Sequence, residues 1–255
     1  NRFWVWFVKN SKIFAAVLAQ SQFLRGIFLF SAAGQGFFLR IGAGTAILNM
    51  EFCAGSSART GVIFMSMMDS LVTRRTYRRF AQKAVPQDVV DDIIDAVRLS
   101  SCGANRQAVR LVVVNKPEDV ARVQPLVKWA AYLPPEQGTP KADELPTLYV
   151  AVVQDTSIPG DLNTDTGIAL ANMTLAAWDK GVGSCIMGAI NKPVLTELLG
   201  IQEPEKLVFM VAFGYPAHKS NVVPLTDKTG VKYYLDENRD YCVPKRSREE
   251  IARYL

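Results

Sequence analysis

DLNTDTGIALANMTLAAWDKGVGSCIMG, residues 161–188, is the stretch on which the fold of this chain turns. Ile168, Ala169, Leu170, Ala171, Met173, Leu175, Ala176 and Ala177 spread apolar side chains around the whole circumference of its first twenty residues. A helix on a protein surface has one apolar stripe, whereas a helix apolar on every side is enclosed, between layers of one domain or against another subunit. The pattern predicts a helix over Asp161–Lys180, closed by a cation in the last turn and by Gly181, which accepts the left-handed geometry of a C-cap. Asn172 sits inside this apolar helix, and its amide needs a partner across a helix or subunit contact.

The segments on either side supply layers for such a helix to lie between. Val109–Val114, Leu148–Val153 and Leu207–Phe213 are short, nearly continuous apolar runs, the pattern of strands buried on both faces. Val89, Val90, Ile93, Ile94 and Val97 follow Pro86 at helical spacing and predict an amphipathic helix to about Leu99. Shorter helices are expected at Asp69–Arg75, Pro117–Trp129, Val194–Leu199 and Arg248–Leu255. Leu133–Leu145, with three prolines and a glycine, is expected to be a long surface loop, and Tyr233–Tyr241 a hairpin turning at Asp236–Asn238. From residue 68 onward the chain therefore looks like one domain of mixed α and β, with helices on both faces of a sheet.

Charge separates the chain into two parts. The net charge of +5 is carried by residues 1–67, where Arg2, Lys9, Lys12, Arg25, Arg40 and Arg59 face only Glu51, so that 68–255 is balanced. A balanced body disfavours a nucleic-acid-binding domain, whose affinity requires a broad cationic face. Residues 1–67 have apolar runs broken by Arg25 and Arg40, none long enough for a membrane-spanning helix. Three origins compete for them: a translated upstream region or added extension with initiation at Met65, Met67 or Met68, a targeting segment, or a membrane-surface anchor. The first is favoured, and the segment is expected to have no fold of its own. Cys53, Cys102, Cys185 and Cys242 are scattered and His218 is the only histidine, so neither a zinc nor an iron–sulfur site is expected, and the protein is expected to be reduced and cytoplasmic.

Within the balanced body lies one dense cationic run, Arg74-Arg75-Thr76-Tyr77-Arg78-Arg79-Phe80. Four guanidinium groups in six positions stay charged at any accessible pH and suit phosphate oxygens geometrically. The alternatives are a basic helix end in water and a grip on some other polyanion. Ser100–Asn105 is a loop of small residues that lets backbone N–H groups approach a flat ligand or that simply caps a helix. Neither a Ser/His/Asp arrangement, paired carboxylates nor a Walker loop is present.

These pieces together resemble the nitroreductase family of FMN-dependent oxidoreductases. Arg74-Arg75-Thr76-Tyr77-Arg78 is similar to the family's opening R-R-S-x-R, and Ser101-Cys102-Gly103-Ala104-Asn105-Arg106-Gln107 to its P-S-x-x-N-x-Q loop. Asp165-Thr166-Gly167-Ile168-Ala169 with Asn172-Met173 resembles its central helix, and Gly181–Gly188 its G-L-G-S-C-W-I-G. Ala212-Phe213-Gly214-Tyr215-Pro216 resembles A-x-G-Y-P, and Val243-Pro244-Lys245-Arg246 the C-terminal basic element. Six such segments occur in the family's order over nearly all of 70–250, with 1–67 outside the match.

The resemblance implies an α+β, three-layer α/β/α fold on a mostly antiparallel sheet, assembled as a homodimer with FMN at the subunit interface. It implies an FMN phosphate held by Arg74, Arg75, Thr76 and Arg78 with Lys245 and Arg246, while Arg79 stays solvated. It further implies flavin contacts from Ser101, Cys102, Gly103, Asn105 and Gln107 of the other subunit, from Asp165, which could equally cap its helix, and from the Ile186, Met187 and Gly188 backbone near flavin N5 and O4. NADH or NADPH would deliver hydride, and a small organic acceptor (nitroaromatic, quinone or enone) would follow it into the same pocket. Trp129–Leu145 would lie over the flavin face, with Trp129 and Tyr132 shaping that pocket. Dehalogenation or flavin fragmentation is the alternative flavin chemistry, and a non-enzymatic polyanion-binding module the alternative class.

Overall fold

In a computed structural model, the structure describes residues 36–41, 44–49, 61–63 and 66–255. The chain divides into two compact units, Asn1–Asp69 and Ser70–Leu255. In the first, β1 (Gly36–Ile41), β2 (Gly44–Asn49) and β3 (Gly61–Ile63) pair antiparallel in that order. The expectation that residues 1–67 carry no fold concerns a segment that, apart from these strands and residues 66 and 67, lies outside the described residues.

The second unit is built on alternation in β5 (Leu148–Asp155). Leu148, Val150 and Val152 point to one side of the sheet, and Tyr149, Ala151 and Val153 to the other, all fully enclosed. A strand apolar on both faces must be central in a sheet covered on both sides. It pairs antiparallel with β4 (Val109–Val114) and with β7 (Glu205–Gly214), and β6 (Gly183–Met187) closes the far edge, in the order β4-β5-β7-β6. On one face lie α2 (Gln87–Arg98) and α5 (Leu162–Asp179), through Val89, Val90, Ile93, Leu170, Met173 and Ala177. On the other lie Tyr77, Phe80, Val123 of α3 (Pro117–Val123) and Leu195 of α6 (Lys192–Leu198). The expected three-layer α/β/α arrangement and antiparallel sheet are thus both present.

Helix α5 begins at Asp161, whose carboxylate accepts from the N–H groups of Asn163 (3.1 Å) and Thr164 (3.4 Å), so the N-cap falls at the residue where the apolar pattern starts. Asn172 donates its amide to Ser100 Oγ at 2.8 Å, the cross-element partner its position demands. A second small sheet, β8-β10-β9, follows: β10 (Tyr241–Lys245) runs parallel to β8 (Ser220–Pro224) and antiparallel to β9 (Tyr234–Leu235). The remaining helices are α1 (Met67–Thr73), α4 (Pro135–Gly138) and α7 (Arg248–Ile251).

Several expectations need correction. The helix expected over Pro117–Trp129 stops at Val123 and continues only as a 3-10 turn over Gln124–Leu126. Beyond it the backbone bonds to the segment after β6, Lys128 N–H to the Ala189 carbonyl and Asn191 N–H to the Leu126 carbonyl, which replaces helical bonds with tertiary ones. The Leu133–Leu145 loop contains α4 and a 3-10 turn over Ala142–Glu144. The terminal helix is one turn, Arg248–Ile251.

Candidate active site

The arginine run lies along the open edge of β6. Thr76 bridges Ser184 in parallel, and Tyr77 N–H donates to the Ser184 carbonyl at 2.9 Å. The segment is held from beneath by aromatic packing: the Tyr77 ring stacks on Trp178 with centroids 5.2 Å apart, and Phe80 is fully buried. Gly183 and Gly214, opposite each other in the β6–β7 register, leave the notch that receives these rings. Two of the motif glycines therefore make room for the arginine segment.

Arg74 and Arg75 are half-buried side by side. Burial, then the neighbouring Arg75 guanidinium, lowers the Arg74 pKa, so the cluster is charged against its own electrostatics. Arg75 donates one Nη to the Leu71 carbonyl (2.9 Å), and its Nε is buried without a partner. Among the described ion pairs, none includes Arg74, Arg75 or Arg78. Arg78 lays its guanidinium over the rings of Tyr233 (4.4 Å) and Tyr241 (4.9 Å), a cation–π arrangement that leaves the edges of the fork available.

Arg79, expected to be solvated, is instead the most enclosed of the four at 6% exposure. Its Nη2 donates to the Arg239 carbonyl, and its charge acts on Glu144. Glu144 itself accepts Phe80 N–H on its main-chain oxygen (2.9 Å) and pairs with Arg239 at 3.3 Å through its carboxylate. Burial would raise the Glu144 pKa, but the Lys141 N–H with Arg239 and Arg79 outweighs it and holds the group below the usual carboxylate range.

Strand geometry determines which backbone groups β6 offers. Ser184 turns its carbonyl outward to Tyr77, and successive residues of a strand alternate direction. Ile186 therefore faces out from the sheet edge, while Cys185 and Met187 bond into the β7 ladder, and Gly188 lies just past the strand. Ile186 also exposes its side chain (42%), whereas Met187 is buried at 3%. A Cβ on Gly188 would come within 3.3 Å of Phe209 Cε1. Across this edge stands Trp129, edge-on to Phe80 with its indole N–H buried and unpartnered. Tyr132 lies on the Tyr233 ring, 5.1 Å between centroids.

The Ser101–Gln107 loop occupies the opposite corner of the sheet. Val109, just after it, is level with Gln154 of β5 and Lys206 of β7, while Ser184 beside the arginines is level with Phe213. Seven residues along β7 at about 3.3 Å and three strand gaps of about 4.8 Å separate the two corners by roughly 25 Å. At the loop corner Asp165 is buried (6%) and accepts Gly103 N–H at 2.8 Å, so this carboxylate neither caps α5 nor stands free but pins the loop to the helix. Ala104, Asn105 and Gln107 all take positive φ (50°, 54° and 52°), a strained geometry held by that anchor and by Gln107 N–H on Cys102 Sγ (3.3 Å). Ser101, Cys102, Gln107 and Asp165 line a cavity of about 330 Å³ with Ile94, Val97 and Ala169.

Lys245 and Arg246 are only partly joined to the arginines. Tyr241, under Arg78, opens the strand that Lys245 closes, roughly 13 Å farther along. Arg246 pairs with Glu250 at 3.1 Å and has an acid of its own. His218 and Tyr241 also stand beside the arginines, without a local signature in the sequence. A lone histidine carried no metal signature, and its proximity to Arg78 arises across 140 residues of chain.

Comparison with known proteins places this architecture. The model of the nitroreductase family matches residues 71–215, from the arginine run to the end of β7, with β8–β10 and Lys245-Arg246 beyond the match. The chain is 26% identical over 217 residues to an FMN reductase [NAD(P)H] of Bacillus subtilis, covering 74% of this chain and 82% of that protein. It is 24% identical over 179 residues to an FMN reductase (NADPH) of the same organism, covering 64% and 71%. Among solved structures, it is similar to a nitroreductase family protein of Streptococcus pneumoniae (TM-score 0.52, 20% identity, 64% of this chain and 97% of that one). It is also similar to an FMN-dependent nitroreductase of Clostridium difficile (TM-score 0.51, 18% identity, 64% and 94%). This chain belongs to the nitroreductase family.

Proposed function

We propose that this chain is an FMN-dependent oxidoreductase that takes hydride from NADH or NADPH and reduces a small organic acceptor by a ping-pong cycle, as a homodimer. Arg74 and Arg75 carry the proposal: two half-buried, adjacent guanidinium groups without a described acidic partner, one with an orphaned buried N–H. Such a pair is stabilised by a ligand bearing fixed negative charge, and a phosphate monoester near neutral pH brings roughly −1.5 to −2 with several acceptor oxygens. The residues present thus fit the phosphate end of FMN, with Thr76 supplying a hydroxyl and Arg78 the free edge of its fork.

When bound, FMN supplies a ring that accepts hydride from the nicotinamide and returns it to the acceptor after the first product leaves. The chain's own work is positional. Arg74, Arg75, Thr76 and Arg78 hold the phosphate. The outward backbone of Ile186 offers its N–H to the ring edge, with Gly188 just beyond it. No side-chain acid or nucleophile is required. Nitroaromatics, quinones and enones are the acceptor classes that a flat, aromatic-lined site suits. Purified full-length protein is expected to show the two visible flavin bands and to lose them on addition of NADH or NADPH under anaerobic conditions. A colourless protein that takes up no FMN on reconstitution would overturn the proposal.

Two features support the dimer. Gly167, Ile168, Ala171 and Leu175 form an apolar stripe along α5 that a single copy leaves partly open, with space around Gly167. The loop corner with Asp165 and the arginine corner are too far apart in one chain to touch one flavin, so a second copy must bring its loop to the first copy's arginines. Ala171→Glu places a charge on the stripe. The expected result is a monomer by light scattering that retains little FMN, and an unchanged dimer with full FMN would refute the arrangement.

A further inference from the structure

We propose that His218 is a positioning residue for the arginine segment, holding it in its ligand-ready form only while the imidazole is neutral. The inference rests on the assignment of an FMN phosphate to Arg74–Arg78. The geometry is specific about which ring nitrogen does what. Arg78 N–H points at His218 Nε2 at 3.0 Å, and His218 Nδ1 lies 2.7 Å from the Lys219 carbonyl. An amide N–H can only donate and a carbonyl can only accept, so the ring is the Nδ1–H tautomer with Nε2 as acceptor. The ring is clamped between Tyr77 (5.2 Å) and Tyr241 (4.9 Å), the tyrosines that respectively anchor the segment and underlie Arg78.

A proton on Nε2 would convert this acceptor into a donor facing the Arg78 N–H, and would add a cation to the arginine cluster. The charged groups facing the ring are Arg78 and Arg79 of the segment and Asp240 beyond Lys219, with the Tyr77 and Tyr241 hydroxyl-bearing rings on either side. Asp240 is occupied by Lys219 N–H at 2.8 Å. Burial, with the two arginines, pulls the His218 pKa down to about 4 against the opposing pull of the Lys219 carbonyl and Asp240. The folded pKa lies below the unfolded value near 6.5, so the unfolded state binds the extra proton first. Stability associated with the neutral ring is therefore complete above about pH 6.5 and drains away as pH falls toward about 4. Within the folded protein the ring itself takes up the proton only as pH passes through about 4, and the segment that then loses its anchor is the one proposed to grip the phosphate.

The test measures FMN affinity from the quenching of flavin fluorescence between pH 7.5 and pH 4, for the full-length protein and for His218→Gln, whose amide oxygen replaces the acceptor and does not titrate. The second ionisation of the FMN phosphate contributes equally to both proteins and cancels in their ratio. The expected result is similar affinity at pH 7.5. At pH 4, where about half of the ligand-free imidazole is protonated, the wild type should have fallen about twofold further than the glutamine variant. His218→Ala should be weak at both pH values, which separates acceptor from charge. Parallel pH curves for wild type and His218→Gln would overturn the role of His218 while leaving the phosphate assignment standing. No FMN binding by the wild type at any pH would overturn both.

Discussion

The Arg74→Ala/Arg75→Ala double variant is expected to lose FMN affinity by about 10²–10⁴-fold while its riboflavin affinity changes little. Hydrogen bonds to charged groups contribute about 1.5–3 kcal/mol each, and two removed together give roughly 3–6 kcal/mol, which sets that range. Riboflavin carries the same ring and ribityl chain without the phosphate, so the contrast isolates the group that the arginines hold. The apo protein should be no less stable than the wild type. Burial and mutual repulsion already weigh on the pair, as the lowered Arg74 pKa records, and Arg75 makes one described hydrogen bond, to Leu71. A double variant that loses riboflavin in parallel would relocate the arginines from phosphate contact to general support of the site. One that keeps FMN would end the phosphate assignment.

How much of this was legible in the sequence depends on how far each feature relies on neighbours along the chain. The central strands β5 and β7 and helix α5 announce themselves because burial on both faces requires unbroken apolar runs, whereas β4, with a similar apolar run, lies at the sheet edge and is only partly buried. The α5 N-cap at Asp161 is equally local. β8, by contrast, is the five residues SNVVP at the rim of a small sheet. Its partner, β10, starts twenty-one residues later and pairs in parallel, so no local pattern marks it. Pro117–Trp129 carries its own stop in Pro125, which has no N–H for the helical ladder, so the α-helix ends at Val123 and Val127 goes on to bridge Ile190.

The candidate site divides in the same way. The arginine run was visible as charge density, but which arginine is buried was not. Arg79 is enclosed by the Arg239 carbonyl 160 residues away and by Glu144, and a charge run looks the same whichever member turns inward. Asp165 was legible only as a flavin contact or a helix cap. Its actual duty, accepting Gly103 N–H, depends on a loop sixty-two residues upstream. In β6, Met187-Gly188 was recognisable as a backbone approach, and the direction of each N–H followed only once Tyr77 was seen to bond to Ser184.

Gly183→Ala is expected to be the most damaging single substitution outside the arginines, destabilising the protein by about 2–3 kcal/mol and lowering its melting temperature by about 5–10 °C. A glycine-to-alanine change in a strand ordinarily stabilises by roughly 0.5–1 kcal/mol, so the sign itself is diagnostic. The Cβ would lie 2.6 Å from Tyr77 Cδ2 and 2.9 Å from Pro216 Cγ, and neither can retreat easily. Tyr77 is stacked on Trp178 and bonded through its N–H to Ser184, one residue beyond the substituted glycine, so the new methyl and the backbone bond pull the same residue in opposite directions. Relief requires the 74–80 segment to lift from the β6 edge, which displaces Arg74, Arg75 and Thr76 together. FMN retention should therefore fall with stability. In a double-mutant cycle, Tyr77→Ala should recover more than 1 kcal/mol of the cost of Gly183→Ala, because the two changes act through one contact. A Gly183→Ala protein that melts with the wild type and keeps its flavin would mean that the notch is dispensable, and that some other feature sets the distance between the arginines and the sheet edge.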